Sequence, residues 1–268
     1  KEEAGELLST GTLHFLVDAA TESIIKEDLH QALLKRELSS TQYCSTLQTF
    51  VDVAPSRSIT NEGSKTARDH IMFHLADLGF HVLAQPITEH QKILEGSDVS
   101  SMGLANVVAS RFREGEHDIF PEQGQCWVLL GAHYDSAPFQ GDAPGADAGG
   151  SGVASLLNIA ATVKNTNVVG HSGCEIVYAF FTGGEMKQIG SRAFVERYLE
   201  EHSMHYRPGF RGAFIVDRIG YSPPFMSNKI RLRIETDSRS PDDAICSGNH
   251  QTVRMTNAVQ QAARDQID

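Results

Sequence analysis

The sequence has 268 residues, 40% hydrophobic and 21% charged, which is enough for one substantial α/β core and excludes a disordered or fibrous chain. A formal net charge of −11 argues against nucleic acid or an anionic membrane as the main partner. No apolar run reaches the roughly 18 residues needed to span a bilayer. The first residue is Lys1 with no signal-peptide pattern, as expected of a processed chain or a fragment.

In chain order, the N-terminal stretch to about residue 50 reads as helical. Ile24, Ile25, Leu29, Leu33 and Leu34 recur near a 3.6 period, and Ser39-Ser40 breaks the pattern. A second helix is capped by Asn61 or Ser64, carries Ile71, Leu75 and Leu78 as its apolar stripe, and stops at Gly79. "FHVLAQPI" and "LANVVASRF" are strand-like, with a polar, exposed insertion between them at residues 88–101. "CWVLLGAHYD" is an apolar run ending in polar residues, as in a central strand buried on both faces. "SGVASLLNIAATV" reads as a helix, "CEIVYAFFT" as a strand, "SRAFVERYLEEH" as a helix and "FRGAFIVDRIGY" as a strand. "TVRMTNAVQQAARDQ" reads as a closing helix, and "YSPPFMSNK" before it as a docking loop or a plainly exposed one. The four cysteines, Cys44, Cys126, Cys174 and Cys246, contain no Cys-x-x-Cys, which excludes a cysteine zinc ribbon or a thioredoxin-type motif. Cys126 and Cys174, each at the start of an apolar run, are expected to be buried free thiols.

Strands alternating with helices predict a largely parallel sheet covered on both faces, with ligands gathering at the carboxyl ends of its strands. His133, Glu185 and Asp217 each follow an apolar strand run, so three metal-capable side chains from three strands can converge on one crevice. A lone His after a strand is more often structural. Here Asp135 stands two residues on, where its carboxylate can accept the second ring N–H and fix the tautomer a metal needs. Glu185 alone, in a glycine-rich turn, would be unremarked, and Asp217 alone could be a cap or a salt-bridge partner.

Four ordered motifs, "GAHYDS", "PGADAGGSGVASLLNIA", "YAFFTGGEMKQIGSRAFVE" and "FIVDRIGY", resemble the zinc aminopeptidases of peptidase family M28, whose fold is shared by glutaminyl cyclases. "TARDHIMFHLADLGFHV" and "LANVVA" are similar to that family's opening elements, and the resemblance covers roughly residues 40–268. It implies a three-layer α/β sandwich with a mixed, mostly parallel sheet. Residues 1–40 would then be a helical extension, and residues 41–268 the family domain, incomplete at its C-terminal side. Carried over by motif, His133 is a zinc ligand, Asp135 its orienting partner, and Glu185 and Asp217 further ligands.

Two positions depart from the pattern. The family's glycine loop usually reads Gly-Ala-Asp-Asp, its second Asp bridging two zinc ions; Asp147 matches the first and Ala148 the bridging position. The family's Glu-Glu pair, a general base followed by a ligand, is matched by Gly184-Glu185. A later ligand, a His in a Ser-Asp-His-like segment, has no match in the sequence. A methyl group cannot hold two cations together, and without a carboxylate at 184 nothing obvious accepts the proton of a metal-bound water. Asp147 could reach the bridging place if the loop shifted by one residue, and Glu185 could act as base if its strand slipped, but both shifts would be needed together.

The expectation is therefore a catalytically degenerate member of the family, with zinc weak or absent, serving as a scaffold or interaction subunit among other protein subunits. The alternative is an active zinc aminopeptidase or glutaminyl cyclase acting on peptide N-termini. The resemblance also points to a secretory, extracellular or lumenal compartment.

Overall fold

The computed structural model describes residues 40–87, 103–111, 119–120, 125–137, 143–165, 174–201 and 209–220. All of these belong to one of the two units into which the chain divides, Glu27–Tyr221; the other, Lys1–Lys26 with Ser222–Asp268, lies outside the described residues. The expected helices near residues 24–38 and 252–266, the 88–101 insertion and the "YSPPFMSNK" loop also fall outside them.

Helix α1 spans Ser40–Val53 and helix α2 spans Glu62–Asp77. Of the two candidate caps, Asn61 is the one used: its side chain accepts from the Ser64 N–H, and Glu62 lies in the first turn. The helix ends on a Schellman arrangement, with Gly79 at φ 82°, its N–H donating to Ala76 and the Phe80 N–H donating to Leu75. Phe80 and Leu75, joined by that turn, are both buried in the same core.

Strands β1 (His81–Pro86), β2 (Ala105–Ser110), β3 (Cys126–His133), β4 (Cys174–Phe181) and β5 (Phe210–Ile215) form one mixed sheet in the order β1-β2-β4-β3-β5. β1 pairs antiparallel with β2, and β2 with β4, while β3 pairs parallel with β4 and with β5. The parallel part carries the strand ends of interest, and the antiparallel part comes from the opening β1–β2 pair. Helix α3 (Gly152–Asn165) follows a wide turn, Ala146–Ser151, and helix α4 (Ile189–Phe194) runs into a second wide turn, Val195–Glu201.

The period of two along the strands sends alternate residues to opposite faces. Val107, Ala109, Ala132, Tyr178 and Phe180 pack with Phe50, Ile71, Leu75, Leu156 and Leu157 from α1, α2 and α3. Val108, Trp127, Leu129, Val177, Ala179 and Phe181 pack on the other face with Phe120, Phe194 and Tyr198. Two cores on the two faces of one sheet make the three layers. β2 is buried along its whole length; β3 alternates between buried and half-buried positions, Trp127 and Leu129 being more deeply buried on one face than Val128 and Leu130 on the other.

The expectation of free thiols at Cys126 and Cys174 is overturned. The two are register partners at the first rung of the β3–β4 pairing, with Cα atoms 4.3 Å apart, and are joined in a disulfide. Their separation of 48 residues hid the pairing, which depends on a parallel register that periodicity does not reveal. The bridge closes the segment that contains β3, the glycine loop and α3. Reduction, or Cys126→Ala with Cys174→Ala, is expected to lower stability by about 2–4 kcal/mol, read as a lower urea midpoint against the oxidised protein.

Candidate functional site

β3, β4 and β5 run in the same direction, so their carboxyl ends lie side by side at one edge of the sheet. His133 is the last residue of β3, paired with Phe181 at the end of β4. Its Nδ1 lies 3.2 Å from Asp135 Oδ1, and its Nε2 lies 3.3 Å from Asp217 Oδ1. The imidazole therefore sits between two carboxylates. Burial alone would push its pKa down, but the hydrogen bond and charge of Asp135, then those of Asp217, raise it above the ordinary value. Both ring nitrogens thus lie within hydrogen-bond reach of a carboxylate oxygen.

Asp135 is buried and fully engaged. Besides His133, it accepts the Gly184 N–H at 2.7 Å on one oxygen and the Glu185 N–H at 3.0 Å on the other. The turn after β4 is thus held from below by a carboxylate two residues beyond β3. It is also held from the side. The buried Asn106 amide donates to Gly190 O and Gln85 Oε1, its oxygen accepts the Thr182 N–H, and Gln85 donates to Ala193 O. Left-handed backbone at Gly183, Lys187 and Gln188 completes this turn, so strain is concentrated on the segment that carries Glu185.

Gly184 owes its place to His133. A Cβ built there would fall 2.5 Å from His133 Cβ and 2.6 Å from its Cγ, atoms that cannot swing away without moving the strand. Gly149 is likewise pressed against the site, at φ 78° with Asp135 O 2.5 Å from where its Cβ would be. Ala148, at the position matched to a bridging carboxylate, has extended φ/ψ of −73° and 114° within the turn. Asp147 is turned to β5's exit, where its Oδ1 accepts the Gly220 N–H at 2.8 Å. Glu185 Oε1 accepts from Arg218 Nη2 at 3.1 Å, and Arg218 Nε lies 3.9 Å from Asp217 Oδ1.

The structure therefore brings His133, Asp135 and Asp217 into direct contact and attaches Glu185 to them through Asp135 and Arg218. Asp147 joins the same neighbourhood through the segment after Asp217. Among the described residues no three His, Cys, Asp or Glu side chains are placed to hold one metal ion. Much of the donor set is engaged within the protein: His133 lies between two carboxylates, Asp135 accepts two backbone N–H groups, Asp147 Oδ1 accepts from Gly220 and Glu185 Oε1 from Arg218, and a methyl group stands at the position matched to a bridging carboxylate. As arranged, these residues do not fit a zinc pair.

Two functional residues were not found in the sequence. Arg218 follows Asp217 directly, and a basic residue beside a candidate ligand was the available signal. Arg57 had none, being a single Arg in an irregular stretch. It is completely buried, and its guanidinium donates to Tyr134 O, Ala54 O, Pro144 O and Gly145 O at 2.7–2.9 Å while lying over the Phe50 ring. Burial pulls its pKa down to about 10, partly offset by the nearby charge of Asp135, so it remains protonated at neutral pH. Its backbone N–H also donates to Ser136 Oγ, and the Ser136 N–H to Arg57 O.

The sequence profile of peptidase family M28 matches residues 106–250, more than half of the chain. The chain belongs to peptidase family M28. The family match spans every strand-end residue described above. Leucine aminopeptidase 1 of Trichophyton equinum is 26% identical over 213 residues, covering 75% of this chain and 56% of that protein. This M28 chain thus spans little more than half the length of that relative. LapB from Legionella pneumophila has the same fold, with a TM-score of 0.52 at 17% identity over 80% of this chain and 50% of that one. The LapA aminopeptidase of the same organism matches with a TM-score of 0.52 at 16% identity over 75% and 47% of the two chains.

Two outcomes test the site. Arg57→Met leaves four carbonyls without their donor and Asp135 without its buried counter-charge. It is expected to cost about 3–5 kcal/mol, measured by urea unfolding. His133 has a folded-state pKa above its unfolded value, so the stabilisation it contributes is complete below about pH 6.5 and is lost as pH rises through the folded value. The urea midpoint of the native protein is expected to fall between pH 6 and pH 8, and that fall to shrink in His133→Gln.

Proposed function

We propose that this M28 chain has lost peptidase chemistry and serves as a folded interaction subunit of a protein assembly. The observation that carries the reading is at Gly184, where the general base would stand: the His133 side chain fills the space that any Cβ there would need. A residue with no side chain cannot accept a proton from a water or return it to a leaving amine. Ala148 supports the same reading, because it offers no oxygen to hold two cations together. The apolar strands and helices that build the scaffold, by contrast, are complete and well packed among the described residues. An unused cluster of free carboxylates would repel itself; here the carboxylates have been paired off, which favours a stable domain over a reactive one.

The disulfide between Cys126 and Cys174 supports an oxidising compartment, extracellular or lumenal. No helix among the described residues is long and apolar enough to cross a membrane. The competing reading, an active zinc aminopeptidase, draws on the name of the Trichophyton relative and on the convergence of His133, Asp217 and Glu185.

Metal analysis by native mass spectrometry, an assay on aminoacyl substrates and size-exclusion chromatography of the native source material decide between them. Less than one zinc per chain, no hydrolysis and elution in a larger assembly are expected. Two tightly bound zinc ions with aminoacyl hydrolysis by a free monomer would sink the proposal.

A further inference from the structure

Of the four carboxylates at the strand ends, Asp135 has both oxygens held by the Gly184 and Glu185 N–H groups, and Asp147 Oδ1 accepts the Gly220 N–H. Glu185 and Asp217 instead both face one guanidinium, Arg218, at 3.1 and 3.9 Å. The geometry points to Arg218 as the resident cation of this site, the group that competes with a divalent metal for Glu185 and Asp217. The inference rests on the reading of the chain as a degenerate M28 member and names the device that keeps it metal-free.

The placement of Arg218 is built into the backbone. Its φ of 49° lies in the left-handed region, which a residue with a branched or long side chain occupies only when its surroundings impose it. The surroundings are on both sides. On the far side, Ile219 N–H donates to Ser151 Oγ at 3.1 Å and Gly220 N–H to Asp147 Oδ1. Ser151 is itself anchored, donating to Asp147 O at 2.7 Å. On the near side, Asp217 is held by His133. The segment after β5 is thus tied to the glycine loop and to β3, and the left-handed residue between these ties is the one whose side chain returns to Glu185.

Arg218 is 58% exposed, so the pair with Glu185 adds little to stability. Its consequence is electrostatic. A guanidinium stays charged at every physiological pH and presents several N–H donors in a fixed plane, which suits it to span two carboxylates. A divalent ion approaching Glu185 must displace that charge or lie beside it. Because the cation is covalently part of the chain, its local concentration never falls, unlike that of a dissociable metal.

The test is zinc chloride titrated by calorimetry, with thermal unfolding in the presence and absence of zinc, on the whole chain and three forms of residue 218. The native protein is expected to show no saturable zinc binding and no zinc-dependent change in Tm. Arg218→Gln, at an exposed position and so folded, is expected to bind zinc at least tenfold more tightly and to gain Tm with it. Arg218→Lys keeps the charge and is expected to behave like the native protein. If Arg218→Gln binds no better than the native protein, the role given to Arg218 is overturned while the loss of peptidase chemistry stands. If Arg218→Lys gains zinc as Arg218→Gln does, charge is not the cause and the proposal also fails. Zinc binding by the native protein with aminoacyl hydrolysis would overturn both readings.

Discussion

The described structure depends on a fully buried guanidinium. Arg57 lies between helix α1 and the sheet, where an unpaired cation would cost several kcal/mol, and it is tolerated because four carbonyls from three separate segments close around it. Those carbonyls belong to the end of α1, the residue after His133, and the entrance of the glycine loop. A charge that must be satisfied completely can be satisfied in only one arrangement of these segments. Arg57 therefore does for the loops what a hydrophobic core cannot, since apolar contacts tolerate sliding and hydrogen bonds of fixed direction do not. Asp135 is the negative counterpart, and through the Gly184 and Glu185 N–H groups it extends the same constraint to β4. The two buried charges, opposite in sign, fix the ends of the parallel strands.

This separates the architecture of the strand ends from the chemistry that M28 members are built around. The positions of His133, Asp217 and Glu185 follow from the parallel strands β3, β4 and β5. The charges at those positions are balanced within the protein, by imidazole, by backbone N–H groups and by Arg218. In a domain arranged in this way, repulsion between the acidic groups is partly offset within the protein.

Much of this was legible in the sequence, and the exceptions have a common cause. The Asn61 cap, the Gly79 stop, the apolar runs of β3 and β4 and the His133–Asp135 pair are local patterns, within a few residues of one another. The convergence of His133, Glu185 and Asp217 was legible because each lies at or a few residues beyond the end of an apolar run. The Cys126–Cys174 disulfide, the Tyr134, Pro144 and Gly145 carbonyls around Arg57 and the Arg218–Glu185 pair join residues 33 to 88 positions apart, and no periodicity encodes them. Among the described strands, the two antiparallel pairings had the same origin. β1 and β2 read as ordinary strands, but their direction depends on how the intervening segment returns the chain to the sheet.

Gly184 carries a consequence for how such a domain can change over time. A glycine codon lies one or two nucleotide changes from glutamate, so by the genetic code alone a carboxylate at this position is easily reached. The packing closes that route, because the His133 side chain stands where the first new carbon would go. A variant gaining the carboxylate would first pass through a strained protein, and only a second change that moved β3 or its imidazole would relieve it. Ala148 would need its own replacement as well. On the proposed loss of peptidase chemistry, the barrier to regaining it at this position is set by van der Waals contact.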